Sequence, residues 1–498
     1  MRLFLLVCGL TSSVFLIVAT SSVFLIVATS SVFLPVASAQ DLATIEHPGS
    51  KVISGEGSSA TILVVTSPIS SEFSVPESLA GRVEFWKLIF SKYGRYQKVF
   101  HHRAYPEIIY SVLDFETLAS EVGPSELART IAAEESREAS RIERTLAHLG
   151  NGNPPRDSFE KRVERLFKVI PERGFAKYRE ALEKKMIRSQ TGIRDKFRAS
   201  LVRSGRYLYA IEEVFRLAGL PTELARIPYI ESSFDYTAYS SVGAAGIWQF
   251  MRGTGKRYMR ITAALDERRD PIIASRAAAQ YLQNAYDDLE AWPLAITSYN
   301  HGVSGMLRAT RETGSKDMAT IIRDYKGSSF GFASGNFYPE FLAALYIDKN
   351  AERYFPGLQR EAPWYFDEVK LERATSYRDV LRHSGCSAED FERLNRGVMA
   401  AVVDGRAALP VGYMLKVPEG SAKKLIAGLG HGEFHSLHSS HDSYVKTLRE
   451  NKYLTPPDKK PSASSKVGKK SKKTVIKQAP KAKKSKTKTA VITKKNQK

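Results

Sequence analysis

Cysteine is scarce in this chain: its 498 residues include only two, Cys8 and Cys386. Cys8 lies in an apolar N-terminal segment, so removing that segment would leave Cys386 without a disulfide partner. A disulfide-stapled scaffold is therefore excluded, and a 43% hydrophobic content supplies a core instead. Cys386 has no partner arrangement suited to a nucleophile, and we expect it to be a small buried hydrophobe.

The N-terminal apolar segment begins after Arg2 and reaches Val36. It repeats TSSVFLIVA twice and then has TSSVFLPVA, followed by an A-x-A sequence that ends at Ala39. This pattern predicts a signal peptide over residues 1–39 and a mature start at Gln40. The alternative is an uncleaved membrane anchor, because the segment is long enough to span a bilayer. We expect export to the periplasm or cell envelope, with membrane contact only if the segment stays uncleaved.

Acidic residues are missing from the C-terminal end. Residues 459–498 contain sixteen Lys and no Asp, Glu or Arg. The net charge of the chain is +21, and subtracting 16 leaves +5 for the remainder. The tail also lacks the apolar residues needed for folding, so we expect it to be disordered. It is either a solvated tail or a segment that attracts anionic envelope polymers. The export signal argues against nucleic acid as its partner.

The fold class predicted for the rest of the chain is mainly α, with a small α/β module near the C-terminus. The predicted parts are an extended lead-in over 40–80, a helical region over 81–204, a dense helical domain over 205–355, an α/β module over 365–420 and a polar linker over 421–458.

Glu231 is the candidate with the most specific setting. Pro221 can start a helix whose apolar stripe leads to Glu231 at its end, directly after Ile230. Apolar surroundings and the negative end of a helix both raise the pKa of a carboxyl group. A carboxyl that stays protonated near neutral pH can act as a general acid. Taken alone, a solvated carboxylate at a helix end is the simpler interpretation.

Three further segments add polar groups that suit a sugar site. The loop from Ser240 to Gly246 has small residues that let a substrate approach the backbone, and Gln249 and Met251 follow it. Tyr299-Asn300 stand at a predicted helix end, where they serve a site or cap the helix. Pro339 is predicted to begin a helix, just after Phe337 and Tyr338.

Together these segments resemble the catalytic domain of the soluble lytic transglycosylase superfamily, and most closely its membrane-bound transglycosylase D type. The family's E-S motif stands as Glu231-Ser232, its G-L-M-Q motif as Gly246 to Gln249, and its A-Y-N motif as Ser298 to Asn300. Trp248 replaces the usual Met, and Ser298 replaces Ala. The late E-T-R-x-Y-V pattern appears as ASGNFY, without its charges and with Phe337 at the tyrosine position.

The resemblance implies a lysozyme-like domain that cleaves the β-1,4 bond from N-acetylmuramic acid to N-acetylglucosamine without a cofactor or a metal ion. Glu231 would be the single acid and then base, and the sugar's own C6 hydroxyl would replace the second carboxylate of most glycosidases. The residues that the resemblance implies for substrate binding are Ser240, Gln249, Met251, Tyr299, Asn300 and one or both of Phe337 and Tyr338. A hydrolytic lysozyme and a non-catalytic peptidoglycan-binding scaffold are the alternative functions.

Two features of the C-terminal part remain open. Residues 365–420 resemble a divergent LysM module, which would bind N-acetylglucosamine chains, but a small accessory fold packed on the catalytic domain is the alternative. Four histidines, at positions 431, 435, 438 and 441, are loosely clustered. A polar linker explains them better than a metal site, because no cysteine or paired carboxylate completes a ligand set.

Overall fold

The structure is a computed structural model that describes residues 70–435. The predicted signal peptide, most of the lead-in, the linker beyond 435 and the Lys-rich tail lie outside the described residues. The described part is mainly helical, with two small antiparallel sheets, which confirms the predicted fold class. No helix within residues 70–435 has the length and apolar content needed to cross a membrane.

The end of the lead-in already packs against the helical domain. Residues 71–79 contain two short 3-10 turns, and Phe73 is only 1% exposed. Its ring contacts those of Trp292 and Phe341, with centroids 6.4 and 5.6 Å away.

The region predicted to be a run of helices contains a sheet as well. Its helices are α1 (Ala80–Ser91), α2 (Glu116–Glu121), α3 (Pro124–Gly150), α4 (Ser158–Leu166), α5 (Ala176–Glu183) and α6 (Arg194–Ser204). Its strands are β1 (Gln97–His102), β2 (Ile109–Asp114) and β3 (Ile187–Thr191), antiparallel in the order β2-β1-β3. The all-helical prediction was wrong here because β1 and β3 are short and polar, QKVFHH and IRSQT, and hide the alternation of a strand.

The sheet separates two cores, because successive side chains of a strand point to opposite faces. Phe100 belongs to a cluster that includes Ile142 and Leu146 of α3. Val99 belongs to the large core shared with the following helical domain, and His101 contacts Phe85 on that side. One face of β1 thus belongs to the core that residues 80–204 share with the helical domain.

Buried helices form the centre of the helical domain. It contains α7 (Leu208–Leu217), α8 (Ile227–Glu231), α9 (Arg252–Gly255), α10 (Pro271–Leu289), α11 (Trp292–His301), α12 (Val303–Thr313), α13 (Met318–Asp324), α14 (Phe332–Lys349) and α15 (Ala351–Tyr354). Helix α10 starts after Asp270, whose side chain accepts from the N–H groups of Ile272 and Ile273, and most of its residues are buried.

Pro339 does not begin a helix, as the sequence predicts, but lies inside α14. Phe332 starts this helix, and Pro339 removes one backbone donor from its middle. The helix continues because most of its side chains are buried in the core, from Ser334 to Asp348. Packing therefore outweighs the local preference of proline.

The C-terminal module combines helices with a small sheet, as the sequence predicts, and its elements follow in chain order. They are β4 (Phe366–Lys370), α16 (Tyr377–Ser384), α17 (Ala388–Leu394), α18 (Ala400–Val403) and β5 (Met414–Pro418), followed by α19 (Ala422–Leu429) and β6 (Glu433–His435). The sheet order is β5-β4-β6. Part of the predicted linker over 421–458 is therefore folded, because α19 buries Ala422 and Leu425 and β6 pairs with β4.

A buried ionic network joins this module to the helical domain. Lys416 of β5 is fully buried, and its Nζ lies 2.8 Å from Oδ2 of Asp270, at the start of α10. Glu368 of β4 forms a salt bridge with Arg276 of α10, and both side chains are 1% exposed. Each buried charge has a partner, as burial requires. The module is thus packed firmly on the helical domain.

Candidate active site

Glu231 is the last residue of α8, as the sequence predicts. A 3-10 turn over Thr222–Arg226 leads into α8, and Pro228 stands in its first turn. The Glu231 side chain is half-buried, and burial raises its pKa to about 8. Within residues 70–435 no cation pairs with this carboxyl group, so nothing there offsets the loss of solvation. The group is therefore held protonated at neutral pH.

A buried hydrogen-bonded cluster fixes α8 to α14. The Tyr229 hydroxyl donates to Oδ1 of Asp348 at 2.6 Å. Arg226 donates to Oδ2 of Asp348 at 2.9 Å, and Arg360 donates to Oδ1 at 2.8 Å. Because Arg226 and Tyr229 are on the same short segment as Glu231, this cluster fixes the position of the backbone that carries Glu231.

The backbone after Glu231 is tied to the small-residue loop. The Ser232 hydroxyl donates to the carbonyl oxygen of Ile247 at 2.8 Å. Ser233 and Phe234 have φ values of 57° and 52°, a left-handed region that residues other than glycine seldom adopt. Backbone strain of this kind persists where the surroundings enforce it, often at functional sites.

Only glycine fits at position 246. Gly246 has a φ of 73°, and a Cβ atom there would lie 1.9 Å from the carbonyl oxygen of Arg268. Gln249 also has a positive φ, 48°, and its side-chain amide donates to the Gly246 carbonyl oxygen at 2.7 Å. The loop thus turns sharply and holds Gln249 in one orientation.

Tyr299 connects this loop to Glu231. Its hydroxyl donates to the carbonyl oxygen of Trp248 at 2.8 Å. Burial and the nearby charge of Glu231 both raise the pKa of this phenol well above its ordinary value. The ring of Phe337 lies parallel to that of Tyr299, with centroids 6.5 Å apart. Glu231, the loop backbone at Trp248, Tyr299 and Phe337 therefore come together from four separate segments.

The other predicted binding residues have different settings. Ser240 accepts from the backbone N–H of Ala244 at 2.9 Å, so it shapes its own loop. Met251 is 45% exposed, and the exposed Asn300 accepts from the Ser334 hydroxyl at 2.7 Å. Both Phe337 and Tyr338 are buried, at 5% and 1% exposed. Tyr338 stacks on Phe341, whereas Phe337 lies against Tyr299, so Phe337 is the candidate of the two.

Sequence reasoning missed a second carboxyl group, that of Glu340. It lies on α14, three residues after Phe337 and therefore on the same helix face. Burial and the charge of Glu231 raise its pKa to about 8, and Arg188 of β3 opposes this effect. Repulsion between Glu231 and Glu340 opposes ionisation of both groups at once. The only sequence signal was the spacing to Phe337, which points to one helix face but not to a partner.

No group of three or more His, Cys, Asp or Glu side chains within the described residues is placed to hold a metal ion. His438 and His441 of the loose histidine cluster lie outside those residues.

The comparisons with known proteins point to the same segment. Residues 209–322 match the transglycosylase SLT domain. This agrees with the resemblance carried by the sequence motifs. The chain is 26% identical over 242 residues to membrane-bound lytic murein transglycosylase D of Escherichia coli strain K12 and, equally, to that of strain O6:H1. The alignment covers 48% of this chain and 52% of those relatives, so the chain spans about half of their length.

Among solved structures, that of an inactive mutant of the lytic transglycosylase Slt from Pseudomonas aeruginosa is 17% identical. The match covers 44% of this chain and 38% of that one, with a TM-score of 0.26, too low to establish a shared fold. The SLT domain match covers Glu231, Gln249 and Tyr299, whereas Glu340 lies beyond its end.

Proposed function

We propose that this protein is a lytic transglycosylase that cleaves the β-1,4 bond between N-acetylmuramic acid and N-acetylglucosamine in peptidoglycan. The observation that carries this proposal is the Glu231 carboxyl group. It is held protonated by burial inside the SLT domain and lies beside Tyr299. The names of the two Escherichia coli relatives, which specify murein, support the substrate class.

Glu231 would act twice in this reaction. First, its protonated carboxyl group gives a proton to the glycosidic oxygen, and the bond from that oxygen to C1 of the muramic acid breaks. Next, the Glu231 carboxylate removes the proton from the C6 hydroxyl of the same sugar as its oxygen bonds to C1. The product is a 1,6-anhydro end, no water is consumed, and Glu231 regains its proton. An attacking group within the substrate supplies a high effective molarity.

The supporting roles are those that the resemblance to the family implies. Gln249 and the exposed Asn300 would hold the N-acetyl group or backbone of the cleaved sugar, with Ser240 near the acid. Tyr299 would orient Glu231 and line the subsite together with Phe337. The exposed thioether of Met251 would pack on a sugar ring.

A hydrolytic lysozyme is the second candidate, and the specific observation in its favour is Glu340. Glycosidases that use water commonly have two carboxyl groups, one as acid and one as base or nucleophile. Glu340 interacts electrostatically with Glu231. If Glu340 activated water, the product would have a reducing end in place of an anhydro end.

Product analysis separates the candidates. Sacculi would be digested with the full protein, and the soluble fragments would be identified by mass spectrometry. Anhydro ends are expected. Reducing ends would show the hydrolase, and a complete lack of release would leave a non-catalytic peptidoglycan-binding scaffold.

We further propose that the protein acts in the periplasm or cell envelope and that its partner is the glycan strand. The module over 365–420 would bind N-acetylglucosamine, and the Lys-rich tail would attract anionic envelope polymers. Sacculus pull-down with and without residues 459–498, at low and high salt, tests the tail. Binding that is the same under all four conditions would remove the electrostatic role.

A further inference from the structure

The N-terminal sheet brings an arginine to the same side of the molecule as the proposed active site. Arg188 of β3 is paired with His101 of β1, so both side chains lie on the face that looks toward the helical domain. The Arg188 guanidinium lies 4.2 Å from the ring centroid of Phe332, at the start of α14. Stacking on an aromatic face fixes the plane of a guanidinium group and leaves its edge free to donate.

Arg188 has unused donor capacity. Its side chain is half-buried, and its Nε is buried without a hydrogen-bond partner among residues 70–435. No carboxylate within those residues forms an ion pair with Arg188. Leaving a buried donor such as its Nε unpaired costs about 1–3 kcal/mol. A buried donor that the fold leaves unpaired is a group that a ligand can satisfy.

A second arginine lies beside it. Arg103 directly follows β1, and its backbone N–H donates to the carbonyl oxygen of Met186 at 2.7 Å, just before β3. The pairing of His102 with Ile187 makes Arg103 and Arg188 diagonal neighbours on one face of the sheet. In agreement, burial and the charge of Arg103 both lower the pKa of Arg188. Two like charges held together are unfavourable unless an anion is bound between them. We call Arg103 and Arg188 the arginine pair.

The arginine pair and the proposed active site share helix α14. Arg188 stacks on Phe332 at its start, and the same helix carries Glu340 and Phe337, whose ring lies parallel to that of Tyr299. Arg188 and Glu340 attract each other without forming an ion pair within the described residues, so the guanidinium donors stay available. An anion bound at the pair would therefore lie on the substrate side of α14, next to the sugar whose bond Glu231 acts on.

We propose that Arg103 and Arg188 form a carboxylate-binding subsite for the peptide stem of the peptidoglycan strand. This inference rests on the proposed function. The stems carry carboxylates at a distance from the sugar ring, whereas a strand whose stems have been removed keeps only the lactyl carboxylate on each muramic acid. The planar fork of arginine matches a carboxylate with two parallel hydrogen bonds. The N-terminal region would thus bind strands that carry stems more tightly than strands that have lost them.

Binding measurements test this subsite without relying on catalysis. The full chain with Glu231→Gln would be titrated calorimetrically with soluble glycan strands that carry stems, and with the same strands after an amidase has removed them. The stem-bearing strands should bind roughly tenfold more tightly. Adding Arg188→Gln, or separately Arg103→Gln, should weaken only stem-bearing binding and bring the two affinities together. Arg188→Lys should restore part of the difference, because lysine keeps the charge without the fork.

Arg129→Gln is the matched control. Arg129 is exposed on α3, which packs on the opposite face of the sheet through Glu135, and its replacement should change neither affinity. Because Arg103 is exposed, Arg103→Gln should fold normally. It therefore still tests the subsite if Arg188→Gln disturbs folding. Equal weakening of both strands, or a stem preference that survives both replacements, would overturn the subsite. So would competition by inorganic phosphate that depends on Arg188 and acts equally on both strands. If the unmodified chain cleaves neither strand while stem-dependent binding persists, the proposed function fails and the subsite stands.

Discussion

The carboxyl groups of Glu231 and Glu340 belong to one electrostatic pair, although they come from different helices, α8 and α14. Burial raises the pKa of each to about 8, and their mutual repulsion further opposes the loss of both protons. Such a pair titrates as a unit, so its measured pKa values describe the pair and not one residue. At neutral pH it retains at least one proton for the acid step.

Replacing Glu340 by Gln should move the alkaline limit of activity to lower pH. Because repulsion between the two carboxylates is reciprocal, ionisation of Glu340 as the pH rises through about 8 opposes loss of the Glu231 proton. Without that charge, Glu231 loses its proton earlier, and the limit should fall by up to roughly one pH unit. The measurement is kcat/KM for sacculus solubilisation between pH 5 and 10, which reports groups of the free enzyme.

The control for this variant is Glu312→Gln, which makes the same charge change on the exposed face of α12. Its profile should match that of the unmodified protein. If the alkaline limit of activity is unchanged in Glu340→Gln, Glu340 does not influence the protonation of Glu231. A complete loss of activity, together with reducing ends in the unmodified digest, would instead assign Glu340 as the base of a hydrolase.

Replacing Tyr299 by Phe should lower activity more than stability. The change removes a hydrogen bond of 2.8 Å and leaves the carbonyl oxygen of the buried Trp248 unpaired, at a cost of about 1–2 kcal/mol in unfolding free energy. Because the same bond positions the loop that carries Gln249, kcat/KM should fall roughly tenfold to a hundredfold. Urea unfolding and a kinetic assay on the same preparations measure both effects.

Tyr281→Phe provides a matched control. Its hydroxyl also donates to a backbone oxygen, that of Ser298, at 2.9 Å. It should lose similar stability while keeping most of the activity. Equal activity losses in the two variants would show that Tyr299 acts only by stabilising the fold.

Replacing Asp348 by Asn should destabilise the protein by about 3–5 kcal/mol, because it leaves Arg226 and Arg360 without their shared carboxylate. Burial alone would raise the pKa of Asp348, but the two guanidinium groups outweigh it and lower the pKa to about 2. The ionised form therefore stabilises the fold fully above about pH 4, and this contribution is lost as the pH falls toward 2. Thermal unfolding of both proteins should show a difference that is largest near neutral pH and narrows in acid. A constant difference across this range would contradict the assignment.

The sequence predicted the part of the site that local chemistry determines. Pro221 and the apolar stripe after it placed Glu231 at a helix end, and the small residues from Ser240 to Gly246 indicated a loop. The structure adds that position 246 admits no side chain. These features depend on neighbours within a few residues of each other, where spacing and backbone preference carry the information.

The sequence did not predict what depends on packing between distant segments. Glu340 becomes part of the site only because α14 lies against α8, and the Asp348 cluster that joins them uses residues from three segments. Arg188 was hidden in a polar strand that resembles a charged helix, and the fold of the sheet alone decides which face it occupies. The prediction that Pro339 begins a helix was wrong for a related reason, because burial of α14 outweighs the local preference of proline.

The most direct measurement compares the unmodified protein with Glu231→Gln on purified sacculi, with mass spectrometry of the released fragments and circular dichroism to match the folded fraction. Glutamine keeps the size of the side chain but has no acidic proton to give. The expected result is release of anhydro-ended fragments by the unmodified protein and none by the folded variant. Normal release of the same fragments by Glu231→Gln would contradict the assignment of this carboxyl group as the acid.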